Sequence, residues 1–139
     1  MIWKNNRRQV SAAVQQFKLD DDTKKIVKAI IHADAKRQKR KRAGRQTEFD
    51  RKAEEAIRAA KENMRLCGYD DNARQHMIGK IYESLLYNQP WEMLGETYCC
   101  RRLFYEYRKE FCYYVAEHLG IIEDAAAAGS KAVQKQATN

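Results

Sequence analysis

The stretch CRRLFYEYRKEFCYYVAEHLG, Cys100 to Gly120, contains no proline and no glycine before its last residue. At about 100° per residue, Leu103, Phe104, Tyr107, Phe111, Tyr114, Val115 and His118 fall on one side of it. A segment with that period is expected to be a helix that hides its apolar side against other elements. No other kind of element accommodates so long an uninterrupted pattern. The same period recurs upstream, and one proline and six glycines in 139 residues leave few turn-forming positions for a β-rich fold. The expected class is therefore all-α.

Residues 5–17, NNRRQVSAAVQQF, suit a short helix burying Val10, Val14 and Phe17. A longer helix is expected from about Asp22, with Ile26, Ile30 and Ala33 on one stripe and Val27 and Ile31 beside it. The acids at its start and bases at its end complement the helix dipole. Thr47, with Asp50 three residues on, is placed like a capping box. The helix it opens should carry Phe49, Ala53, Ala56, Ile57, Ala60 and Met64 on its apolar side and end near Gly68. This stripe is thin and rich in alanine, which suits close packing against another helix or a second subunit, and makes residues 47–66 a candidate homodimer interface. A further helix spans about Asn72 to Tyr87, burying Met77, Ile78, Ile81, Tyr82 and Leu85. Asn88-Gln89-Pro90 ends it, and Pro90 suits the first turn of a following helix. From Glu123 the chain is small and polar, as a flexible tail would be. These readings divide the chain into a basic helical region (1–70), a C-terminal unit (71–122) and a tail (123–139).

Charge supports a polyanionic partner. The net charge is +8, and it is uneven: residues 1–70 hold 19 Lys+Arg against 10 Asp+Glu, whereas residues 71–139 hold 8 against 9. Seven of the ten residues in KRQKRKRAGR (36–45) are basic: Lys36, Arg37, Lys39, Arg40, Lys41, Arg42 and Arg45. Such a cluster is either a solvated linker, with a break at Gly44, or an arm that holds phosphate. The self-repulsion that an anion would relieve favours the arm.

Pro90 to Glu96 allows two turns of helix, with Trp91 and Leu94 facing inward. Thr97-Tyr98-Cys99 then turns the chain into the helix from Cys100 to Leu119. Two helices joined by so short a turn have the form of a helix-turn-helix. Opposite the apolar side of the second helix lie Arg101, Arg102, Tyr105 and Lys109, with Cys112 and Ala116 behind them and Arg108 at the border. Glu106, Glu110 and Glu117 form an acidic flank. Cations at a helix N-terminus oppose its dipole, so Arg101 and Arg102 suggest an external anion rather than ordinary surface charge. A major-groove helix uses its N-terminal residues on base edges. Arginine can bond guanine bidentately, whereas Lys109, Tyr105 and Arg108 suit phosphate oxygens.

On these residues the segment IYESLLYNQPWEMLGETYCCRRLFYEYRKEFCYYVAEHLG, Ile81 to Gly120, resembles the C-terminal part of phage transcriptional activators of the RinA and ArpU type. Their unit is similar to sigma-factor region 4, a helix-turn-helix. The resemblance rests on the Tyr and Leu-Leu of the first helix, Trp91-Glu92, Arg102 before Phe104-Tyr105, the YRKEF run, and the terminal Leu-Gly. Gly95 stands where the pattern has alanine, Cys100 where it has Ser or Thr, and the turn is one residue shorter. The resemblance implies a phage or prophage regulator whose base-reading positions map onto Arg101, Arg102 and Tyr105.

Other classes fit poorly. Cys67, Cys99, Cys100 and Cys112 form no CxxC pair, and His32, His76 and His118 are scattered, so no metal site is expected. Asp20-Asp21-Asp22 reads as helix capping. No phosphate loop, catalytic triad or paired carboxylates stand out, and the clustered tyrosines lack the Arg/His/Arg set of a recombinase. No enzymatic activity and no cofactor are expected. The start of the chain has no apolar leader and no stretch is apolar enough to span a bilayer, so a cytoplasmic protein is expected. The reading is a sequence-specific DNA-binding transcriptional regulator whose partners are double-stranded DNA and, further, RNA polymerase. Its rivals are a DNA-packaging protein of the small-terminase kind and a helical module that grips a protein partner.

Overall fold

The computed structural model describes residues 17–122 and is all-helical, as expected, with no strand among them. The helix expected at 5–17 and the tail from Glu123 lie outside the described residues, apart from Phe17, which is buried. Five helices follow one another: α1 (Asp21–His32), α2 (Asp34–Arg42), α3 (Glu48–Asn63), α4 (Asp71–Tyr87) and α5 (Arg101–Leu119). A single 3-10 turn, Trp91–Met93, stands between α4 and α5.

The core is one cluster built around α5, which packs most extensively against α3 and also against α1 and α4. Val27 and Ile31 from α1, Ala56 and Ala60 from α3, and Met77 and Ile81 from α4 are completely buried in it. They surround Phe104, Phe111, Val115 and Ala116, equally buried on α5. The division expected at residue 70 is therefore not a division of the core, because both sides contribute to the same cluster.

Three sequence expectations about faces need correction. On α1 the buried side is Val27 and Ile31, while Ile26 is 51% exposed. On α5 the buried side is rotated toward Cys112 and Ala116, expected to lie on the bare face, and takes in Glu110 from the expected acidic flank. Leu103, Tyr107 and Tyr114 are only half-buried, and His118 is exposed. The physical reason is that helices flank α5 on three sides, and the small residues let them approach closely. On α3, Ala53, Ala56 and Ala60 are sealed, while Phe49 is 53% exposed. Of the two partners open to the alanine stripe, the structure gives it another helix, α5 of the same chain.

The caps explain where the helices start. The Asp50 amide donates to Thr47 Oγ1 at 3.0 Å and the Thr47 amide to Asp50 Oδ2 at 3.2 Å, completing the expected capping box of α3. Asp70 accepts from the Ala73 amide at 2.8 Å and opens α4. The end of α3 comes earlier than expected, at Asn63. There the Arg74 guanidinium donates to the carbonyls of Lys61, Glu62 and Met64, at 3.2, 2.9 and 2.9 Å, satisfying oxygens the helix leaves free. The chain then turns through Leu66 at φ +40°, and the buried Glu110 accepts the Arg65 amide at 3.1 Å, tying this corner to α5.

The segment between α4 and α5 also departs from expectation. The two-turn helix over 90–96 is one 3-10 turn, ended at Gly95 with φ +76°. Lys80 donates to the Leu94 carbonyl at 2.7 Å, and the indole N–H of Trp91 donates to Thr97 Oγ1 at 2.8 Å. These contacts hold residues 88–100 as a strap across α4. The two-helix unit expected here lacks its first helix.

Candidate nucleic-acid interface

The basic run 36–45 is neither a linker nor a fraying end. Its first seven residues belong to α2, a helix without an apolar stripe of its own. Ion pairs hold it to α3 instead. Arg40 donates through Nε and Nη2 to the two carboxylate oxygens of Asp50, each at 2.7 Å. Lys41 Nζ lies 2.6 Å from Glu54 Oε1. The Arg40 guanidinium, with the Thr47 amide, holds the Asp50 carboxyl well below the usual carboxylate range.

Arg37 is turned furthest inward. It is 4% exposed, donates to the Ile30 carbonyl, and lies 3.4 Å from Asp34 Oδ1. Asp34 accepts the Tyr82 hydroxyl, and the Lys61 ammonium sits 3.9 Å from the centre of the Tyr82 ring. Burial, then the Asp34 carboxylate, raises the Tyr82 phenol, and burial lowers Lys61. Arg37, expected to meet DNA, is thus a structural cation buried within the chain and has no surface to offer to DNA.

The helix separates the remaining cations. Lys36, Lys39 and Arg42 recur every third residue, and with Arg45 they are exposed and have no carboxylate partner among the described residues. Arg40 and Lys41 keep part of their surface, but each already has an acidic partner.

The start of α5 is mixed. Its first turn carries no acidic residue and Cys100 makes no side-chain cap. The positive end of the helix dipole is therefore unopposed within that turn. Arg102 is exposed without a carboxylate partner among the described residues. Arg101 lies 2.7 Å from Glu92 Oε1, and both side chains are more than half exposed. Solvent screens an exposed pair of this kind, so it restrains Arg101 only weakly against a phosphate. Tyr105 accepts the Trp91 amide at 3.2 Å and has the guanidinium groups of Arg101 and Arg108 each 5.1 Å from its ring centre. It is built into the corner and is not a free reading side chain. Lys109 is exposed, 3.5 Å from Glu106 on its own helix.

Two cations that the sequence reading did not single out lie beside these. Lys24 and Lys28 on α1 face Arg108 and Lys109 on α5 across a cavity of about 280 Å³. Their spacing of four residues on one helix was the available signal, but only the packing of α1 on α5 brings them to that place.

Among the described residues no group of three or more His, Cys, Asp or Glu is placed to hold a metal ion, and no helix is long and apolar enough to cross a membrane. No family model, curated protein or solved structure matches the chain. What defines it is therefore its own architecture, a helical bundle around α5 with unpaired cations on α2 and at the start of α5.

Proposed function

We propose that this protein is a double-stranded-DNA-binding regulator without enzymatic activity. It holds the phosphate backbone on the outer side of α2 and presents the first turn of α5 end-on to the major groove. The observation that carries the reading is the division of the basic run. Arg37, Arg40 and Lys41 are satisfied within the chain, while Lys36, Lys39, Arg42 and Arg45 remain exposed with no acidic partner among the described residues. Unpaired cations on a rigid helix suit phosphate contacts, which position a protein on duplex DNA.

Because Cys112 and Ala116, which continue the basic face of α5 toward its C-terminus, are buried, that face is bare only near the start of the helix. Arg102 is then the side chain best placed for bidentate contact with guanine, and Arg101 exchanges Glu92 for phosphate on binding. The resemblance to phage activators supports a regulatory role, and RNA polymerase is the further partner that it suggests. The test is a binding-site selection followed by titration of Arg102→Ala and Arg101→Ala/Arg102→Ala. Losing one bidentate contact should weaken the preferred site by about 1–3 kcal/mol and relax the preference there. Unchanged affinity and unchanged preference would refute the assignment.

A further inference from the structure

Lys24 and Lys28, one turn apart on α1, and Arg108 and Lys109, adjacent on α5, bring four cations to a single cavity with no acidic residue in its lining. A second depression shares Lys28 and Arg108 with it and adds Lys25 and His32, again without a carboxylate. Lys109 has Glu106 at 3.5 Å, but Lys24, Lys28 and Arg108 have no ion-pair partner among the described residues. Elsewhere the chain cancels such charge: Arg37, Arg40 and Lys41 each meet a carboxylate. Like charges gathered without one repel each other, and an anion between them relieves that repulsion.

Packing fixes the arginine of this set. Arg108 is half-buried, with its guanidinium 5.1 Å from the centre of the Tyr105 ring. Tyr105, also in the lining, is itself held where its hydroxyl accepts the Trp91 amide at 3.2 Å. The charges converge on one point: burial pushes the Cys112 thiol up to about 11, and Arg108, Lys28 and Lys24 all pull it the other way.

The guest that these cations select is small and densely negative. The cavity holds about 280 Å³, just below the range of about 300–1,000 Å³ usual for small-molecule sites. Of its apolar lining, Leu85 and Cys112 are 4% exposed and Phe17 7%, so hydrophobic contact adds little and charge carries the recognition. A nucleobase finds no bare ring to stack on, since Arg101 and Arg108 each hold a guanidinium 5.1 Å from the centre of Tyr105. Ammonium groups meet phosphate as point charges, and a guanidinium meets two of its oxygens at once. One phosphate dianion balances half of the four cations; a short chain of linked phosphoryl groups balances them all.

We propose that this cavity binds a compact polyphosphate, held by Lys24 and Lys28 from α1 and by Arg108 and Lys109 from α5. The site is separate from the outer side of α2 and from the first turn of α5, and does not depend on the DNA reading.

The test titrates the full chain with inorganic tripolyphosphate at constant ionic strength, by calorimetry and amide NMR, with citrate and sulfate as comparisons. Tripolyphosphate should bind saturably and shift the amides of Lys24, Lys28, Arg108 and Lys109, and citrate and sulfate should bind more weakly. Lys28→Gln/Arg108→Gln removes two charged contacts and should weaken binding roughly tenfold or more. Lys28→Gln alone changes an exposed residue and should show a smaller loss, and circular dichroism checks that each variant remains helical. Adenosine triphosphate separates the sources: tighter binding than tripolyphosphate assigns the phosphates to a nucleotide, weaker binding to an inorganic chain. Arg102→Ala lies outside the cavity and should leave tripolyphosphate binding unchanged even where it weakens DNA binding, which separates failure of this proposal from failure of the DNA reading. The proposal is overturned if tripolyphosphate does not bind at these residues, if citrate or sulfate binds as tightly, if the double glutamine variant binds like the parent, or if duplex DNA displaces tripolyphosphate from the cavity.

Discussion

Ala60→Leu tests whether the alanine stripe of α3 is an inside surface of one chain or a surface kept for a second copy. Ala60 is fully buried in the core cluster around α5, as is Ala56. Leucine adds three carbon atoms where no accessible surface remains. Over-filling a packed interior forces side chains off their rotamers and costs about 1–3 kcal/mol. For a chain of this length each kcal/mol moves the midpoint by roughly 3–5 °C, so Tm should fall by about 3–15 °C. Phe49→Ser is the internal comparison. It belongs to the same apolar pattern in the sequence but is 53% exposed, and should change stability by no more than about 0.5 kcal/mol. Thermal melts followed by circular dichroism, with sedimentation to record mass, measure both. An Ala60→Leu protein as stable as the parent, with altered oligomeric state, would mean that the stripe faces another subunit and that the packing of α3 on α5 is wrong.

Two further predictions concern ionisation. Asp50 has its folded-state ionisation depressed, so its contribution to stability is complete above the ordinary aspartate value of about 3.9 and is lost as pH falls below it. Asp50→Asn should be less stable than the parent at neutral pH and should lose less on acidification through that window; parallel acid-unfolding curves would contradict this. Among the thiols, Cys67 and Cys100 are exposed, whereas burial pushes both Cys99 and Cys112 up to about 11. Near pH 8, titration with a thiol reagent should therefore show Cys67 and Cys100 reacting fast, the half-buried Cys99 slowly, and Cys112 only on unfolding; early labelling of Cys112 would place it outside the core.

The parts of the fold that could be read from the sequence are those fixed by local chemistry. Thr47 and Asp50 define the start of α3 because their side chains bond to amides within reach of either residue, and Asn88-Gln89-Pro90 ends α4 for equally local reasons. Helical period also gave the right elements, but not the right faces. Which side of α5 is buried depends on how many neighbours surround it, and a wheel diagram assumes one. The order of residues 36–45 was hidden for a related reason. Nothing apolar holds α2; Arg40 and Lys41 are fixed by Asp50 and Glu54, on the next helix. The opposite charges on either side of the turn at Gly44 were the one available hint. Pro90 and Trp91 suggested a helix, but Gly95 at φ +76° and the indole bond to Thr97 stop it after one turn. Arg102 and Lys109 were correctly expected to be exposed, while the inward turn of Arg37 follows only from the side of the rod that the core claims.

Duplex binding as a function of salt tests the account's central claim most directly. The parent chain is compared with a variant in which Lys36, Lys39, Arg42 and Arg45 are replaced by glutamine. Each phosphate contact contributes about 0.9 to the slope of log K against log salt, so four contacts contribute up to about 3.6. Between 50 and 200 mM salt that difference amounts to roughly a 150-fold change in relative affinity. The account predicts a steep slope for the parent, flattened by up to that amount in the variant, and little change when Lys41 alone is replaced. Equal slopes for parent and variant, or no duplex binding by the parent at 50 mM salt, would contradict it.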